Sequence, residues 1–164
     1  MKLPLLFIAS LFFTLPAAHA GKGHVHGEGR LDAALDKDML TLNLELPLDA
    51  SVGFERAPKN DKEKAALAAA EKTLIDAAAL WLPTPAAHCT VASIKVDMPK
   101  FAADDHADVD ARYVFRCAAP AALKSVETTL FKHFGRLYRL EVQRVGPTGQ
   151  GAQRLTPKAP ALNW

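Results

Sequence analysis

The chain is poor in cysteine: two in 164 residues, Cys89 and Cys117, far apart and in no C-x-x-C pair. That spacing excludes thiolate zinc knuckles and thioredoxin-like redox chemistry. Also missing are H-E-x-x-H, a glycine-rich phosphate loop and G-x-S-x-G. A serine triad could be assembled from Ser51, Ser93 or Ser125 with some histidine, but no spacing selects one, and the chain reads as a non-enzyme. Charge of one sign is lacking as well. The net charge is +2 with the basic residues scattered, so neither nucleic acid nor an anionic membrane surface is an expected partner. After the first twenty residues no uncharged apolar run reaches membrane length, because Glu71, Lys72 and Asp76 interrupt the alanine-rich stretch that follows Ala65. There is no internal repeat and no low-complexity segment.

What is present begins with an export signal. Lys2, the apolar run Leu3 to Leu15 and the small-x-small site Ala18-His19-Ala20 predict a signal peptide over residues 1–20. A flexible Gly/His arm over 21–29 and one domain over 30–164 should follow, with no membrane span in the mature chain. Two cysteines in an exported chain predict a disulfide. Thr90 to Met98 and Asp108 to Arg116 are rich in β-branched and aromatic residues and flank turn signals in Pro99 to His106. If they pair with Cys89 opposite Cys117, Val91 faces Phe115 and Ser93 faces Tyr113. Closing that loop should stabilise by roughly 3 to 4 kcal/mol on the chain-entropy account.

Alternation of Leu31, Ala33 and Leu35, then of Leu40, Leu42, Leu44 and Leu46, across Asp36-Lys37-Asp38 predicts a half-buried antiparallel hairpin. The connection after Pro47 contains Gly53-Phe54-Glu55, too specific for mere spacer, with Phe54 a plug for the core. Asn60, with Glu63 three residues on, resembles an N-cap for a helix running to Leu82, where Pro83 and Pro85 stop it. A second helix is expected from Pro120 to Phe134, with Leu123, Val126, Leu130, Phe131 and Phe134 on one stripe. Leu137 to Val145 and Gln150 to Thr156 complete six strands, and the terminal Trp164 should dock on the body. The expectation is an α+β domain in ββαββαββ order: a mostly antiparallel sheet with two helices packed on one face and one disulfide.

Imidazole is the remaining chemistry. With His19 lost in the signal, His133 near a helix end and His88 beside Cys89 read as structural. His24 and His26, at i and i+2 in a glycine-rich stretch, fall on one side of an extended segment and can reach one ion; Glu28 follows. His106 sits among Asp104, Asp105 and Asp108 at the tip of the predicted disulfide hairpin. Cleavage after Ala20 leaves His24 in fourth place rather than the third that a square-planar amino-terminal Cu(II) site needs.

HVHGEGRLDAAL, LTLNLELPLDASVGFERAP, HADVDARYVFRC, VGPTGQGAQRLTP and the terminal NW, in that order, resemble the ZrgA-type family of periplasmic zinc-binding proteins associated with zinc uptake. The similarity runs from His24 to Trp164. It implies zinc binding by histidines in support of an ABC-type importer and its zinc solute-binding protein, without turnover, and it matches the family's pattern at His24, His26 and His106. Relatives often carry a long His- and Asp-rich insertion where this chain has only Lys100 to Asp105, and often a histidine where it has Arg56. The resemblance and the residues converge on a zinc site of His24, His26 and His106, completed by Asp104, Asp105, Asp108 or Glu28, formed when the arm folds onto the hairpin tip. Two other readings stand beside it: an envelope interaction module with incidental histidines, and a copper-sequestering protein, because Cu2+ competes well at nitrogen sites.

Overall fold

In a computed structural model, residues 25–101 and 107–164 are described. The predicted signal peptide, the beginning of the arm with His24, and Asp104, Asp105 and His106 lie outside them. β1 (Glu28–Asp36) and β2 (Met39–Pro47) form the first hairpin, in register from Arg30 opposite Glu45 to Asp36 opposite Met39. The leucine alternation does what it predicts: Leu31, Leu40, Leu42, Leu44 and Leu46 are buried, while Arg30, Asp32 and Asn43 face solvent.

The chain then passes through α1 (Leu48–Val52), α2 (Asp61–Leu74), α3 (Ala77–Leu80), β3 (Trp81–Pro83) and a 3-10 turn at Pro85–Ala87. β4 (Cys89–Asp97) and β5 (Asp108–Cys117) make the second hairpin, followed by a 3-10 turn at Pro120–Ala122, β6 (Ser125–Thr128), α4 (Leu130–His133), β7 (Arg139–Gly146), β8 (Gly149–Leu155) and β9 (Ala161–Asn163). Six strands form one sheet in the order β4-β5-β2-β1-β7-β8, and β3-β6-β9 form a second. Neighbours are antiparallel except β1 and β7, which run parallel with Glu28 opposite Arg139. One core joins the two sheets. Tyr113 of β5 stacks at 5.6 Å on Trp81 of β3 and donates its hydroxyl hydrogen bond to the Leu74 carbonyl at the end of α2 (2.9 Å). Burial pushes that hydroxyl's pKa well up.

The described residues are mostly β, with nine strands in two sheets and four short helices, and not two helices on a six-stranded sheet in ββαββαββ order. Two local competitions explain the correction. The first helix begins where expected, with Asn60 Oδ1 accepting from the Glu63 N–H (2.9 Å) and Glu63 accepting from the Lys59 N–H (2.7 Å). It does not reach Leu82. Asp76 re-caps the chain by accepting from the Ala79 N–H (3.2 Å), and Trp81 leaves in an extended conformation to pair with Thr128. The second helix is replaced by a turn, a strand and one helical turn. Leu123, Val126 and Leu130 are spaced as on a helix, but Val126 and Thr128 alternate in burial with Ser125 and Glu127, and β3 and β9 offer them partners on both sides.

The disulfide Cys89–Cys117 is present, Cys89 pairs with Cys117, and Val91 faces Phe115. A bulge after Val91 then shifts the register, so Ser93 meets Val114 and Ile94 takes the place opposite Tyr113. Trp164 packs against the body. Its ring lies close over Gly146, where an added Cβ would come within 3.0 Å of it, and under the Arg144 guanidinium. Among the described residues no helix is long and apolar enough to cross a membrane.

Candidate metal centre

Pro47 ends β2 and α1 starts on the next residue, so the last inward leucines of the strand and the buried Leu48 and Ala50 of the helix are continuous. This places Asp49 in the rim of the core. Its side chain is only 7% exposed, although nothing apolar calls it inward. Gly53, in the left-handed region at φ 90°, closes α1 with its N–H on the Asp49 carbonyl (2.9 Å). Phe54 then packs on the core, and Glu55 stays at the surface beside Asp49.

The arm comes in from the other side. Gly27, at φ 74°, accepts a hydrogen bond on its carbonyl from the Tyr138 N–H (3.0 Å), and a Cβ there would lie 2.7 Å from the Arg136 carbonyl and from the Tyr138 ring. Only glycine fits so close to the 136–138 segment. The neighbouring His26 is thereby set over α1, with Nδ1 3.2 Å from Asp49 Oδ2 and 3.5 Å from Glu55 Oε1. One ligand atom from each of His26, Asp49 and Glu55 lies within 4.8 Å of the others. Ligands on a tetrahedral zinc with bonds near 2.0 to 2.2 Å sit about 3.4 Å apart, so small side-chain movements would close the three onto one ion.

The electrostatics favour a cation. Asp49 Oδ1 is buried and has no hydrogen-bond partner among the described residues. Leaving such an oxygen unmet costs free energy that a metal would recover. The nearest fixed positive group is Arg136, whose Nε–H donates to the Asp49 carbonyl oxygen (3.0 Å) and whose guanidinium stands 3.9 Å from Asp49 Oδ2.

Of the residues the sequence nominated, His26 belongs to this group. Glu28 does not. It is ion-paired with Arg139 and accepts from the Tyr138 hydroxyl (2.9 Å), and the Arg139 hydrogen bond holds its carboxyl below the usual carboxylate range. The hydrogen bond to Glu28 pushes the Tyr138 hydroxyl up. Asp108 stands opposite Pro47 on the solvent side of β5, two residues before Asp110, whose carboxyl is raised by burial and then by the charges of Asp108 and Asp97. His24, Asp104, Asp105 and His106 lie outside the described residues. Ala107, next in the chain to His106, accepts the Leu48 N–H on its carbonyl (2.8 Å), one residue from Asp49. His88 and His133 are exposed and belong to no such group among the described residues.

Asp49 and Glu55 were missed in the sequence. The signal available was the Gly53-Phe54-Glu55 stretch in the short connection after a buried strand, which marks a tight, purposeful connection. Among known proteins, the family model described as "ZrgA family zinc uptake protein" matches residues 23–164. No curated protein matches the chain.

Proposed function

Since the chain belongs to the ZrgA family of zinc uptake proteins, we propose that it captures zinc in the periplasm and supports uptake by an ABC-type importer, acting as a binding protein without turnover. His26, Asp49 and Glu55 provide three ligands, and His24 or His106 supplies the fourth. His24 lies two residues before His26, and His106 adjoins Ala107, which is bonded to α1. This keeps the arm and the hairpin tip as the two sources of imidazole and adds two carboxylates that sequence reasoning had not nominated.

The observation that supports this most is the unmet oxygen of buried Asp49 beside His26 and Glu55. Mixed imidazole and carboxylate donors suit Zn2+, a borderline ion, and nothing in the group is thioether or thiolate to select Cu(I). Periplasmic residence accords with the disulfide and with the predicted leader. Calorimetry at pH 7.5 on the mature protein tests the reading. Wild type should bind one zinc at this site, and a His26→Ala, Asp49→Asn, Glu55→Gln variant should lose the binding. An unchanged affinity in that variant removes the site. Zinc accumulation by cells lacking the protein, under zinc limitation, tests the role in import separately.

A further inference from the structure

Beside the group stands a cation, Arg136, and its position is not that of an ordinary surface arginine. It lies on the short segment between α4 and β7, and its stem rests on Gly53, where the nearest guanidinium-side atoms would contact an added Cβ at 3.5 and 3.6 Å. Its Nε–H is spent on the Asp49 carbonyl, which fixes the guanidinium in direction and leaves its outer nitrogen 3.9 Å from Asp49 Oδ2. That is the same carboxylate oxygen that His26 Nδ1 approaches at 3.2 Å. The carbonyl of Arg136 in turn lies against Gly27, so the segment that carries the guanidinium is also the one that seats the arm.

We propose that Arg136 sets the affinity of the site: it is the resident counter-cation of Asp49 when no metal is bound, and its charge opposes the ion when one is. The role rests on the zinc-binding reading given above. A buried carboxylate without a cation would be costly in the empty protein, and the guanidinium relieves that cost. A divalent ion on Asp49 comes within about 5 Å of the guanidinium, where the mutual repulsion even in water-like surroundings weakens binding by about tenfold. A protein that must hand its ion on gains from such a fixed opposing charge, because capture stays reversible.

The test is zinc calorimetry on full-length mature wild type, Arg136→Gln and Arg136→Lys, with melting temperatures measured in chelator and in zinc. Arg136→Gln should bind zinc about tenfold more tightly than wild type, and Arg136→Lys, which keeps the charge, should stay within about twofold to threefold of wild type. In chelator Arg136→Gln should melt lower than wild type, and its gain on adding zinc should be larger, as tighter binding requires. Wild type that binds zinc alongside an Arg136→Gln variant of equal or weaker affinity overturns the role of Arg136 and leaves the site standing. Failure of both proteins to bind zinc overturns the site and this role together.

Discussion

Two carboxylates flank the same histidine-bearing arm, and they are treated in opposite ways. Glu28, two residues beyond His26, has its charge answered by Arg139 and its hydrogen-bonding capacity used by the Tyr138 hydroxyl. Asp49, across from His26 and nearly buried, keeps one oxygen unmet among the described residues and meets its arginine only at 3.9 Å. The difference shows that closeness to a histidine in sequence says little about which carboxylate can take a cation. What decides it is how much of the charge is already spoken for. Glu28 fastens β1 to β7 at the point where the two strands run parallel, Glu28 opposite Arg139. Asp49 holds little together beyond α1, and so is available.

Breaking that comparison starts with Asp49. An Asp49→Asn variant keeps the shape and removes the charge, and zinc affinity by calorimetry should fall by about hundredfold or more, the scale expected for a lost ligand rather than a lost supporting contact. In chelator the same variant should melt no lower than wild type, because a poorly met buried charge has been removed. Glu55→Gln should be milder, about tenfold, since its side chain is 37% exposed and water can take the vacated position. Glu28→Gln should leave zinc affinity within about twofold. If Glu28→Gln weakened zinc binding as much as Asp49→Asn, the division between a fastening carboxylate and a binding one would collapse.

The same contrast explains what could be read in advance. The first hairpin was legible because four leucines at every second position in β2 have only one buried arrangement. The pairing of Cys89 with Cys117 was legible because two cysteines in an exported chain predict a bridge, but the bulge after Val91 was not, since β4 is an exposed edge whose side chains are not forced to one face. The two helices were overread. Apolar residues three and four apart in Leu123, Val126 and Leu130 satisfy a helix as well as a strand that bends into a turn, and only the partners in β3 and β9 settle it. At the site, His26 was legible as an imidazole on a pliant arm. Asp49 was not, because its burial follows from the uninterrupted passage of β2 into α1, and neither was the pairing of Glu28, because Arg139 is over a hundred residues away.

The smallest expected effect sharpens the contrast in acid. Arg139 lowers the folded-state pKa of Glu28, so the stability Glu28 contributes is full above its ordinary value near 4.5 and is lost as pH falls through the lower folded value. Glutamine at this position has no proton to take up. In chelator, the melting temperature of wild type should therefore exceed that of Glu28→Gln at pH 7, and the gap should shrink as pH is lowered below about 4.5. Glu63, held at about 2 by Arg56 and the Lys59 N–H, titrates in the same window, but it does so in both proteins and cancels from the difference. A gap that stays constant down to pH 3 would mean that Glu28 acts through packing alone. The absence of any gap at pH 7 would mean that its pair with Arg139 fastens nothing, and Glu28 would then be as available to a cation as Asp49.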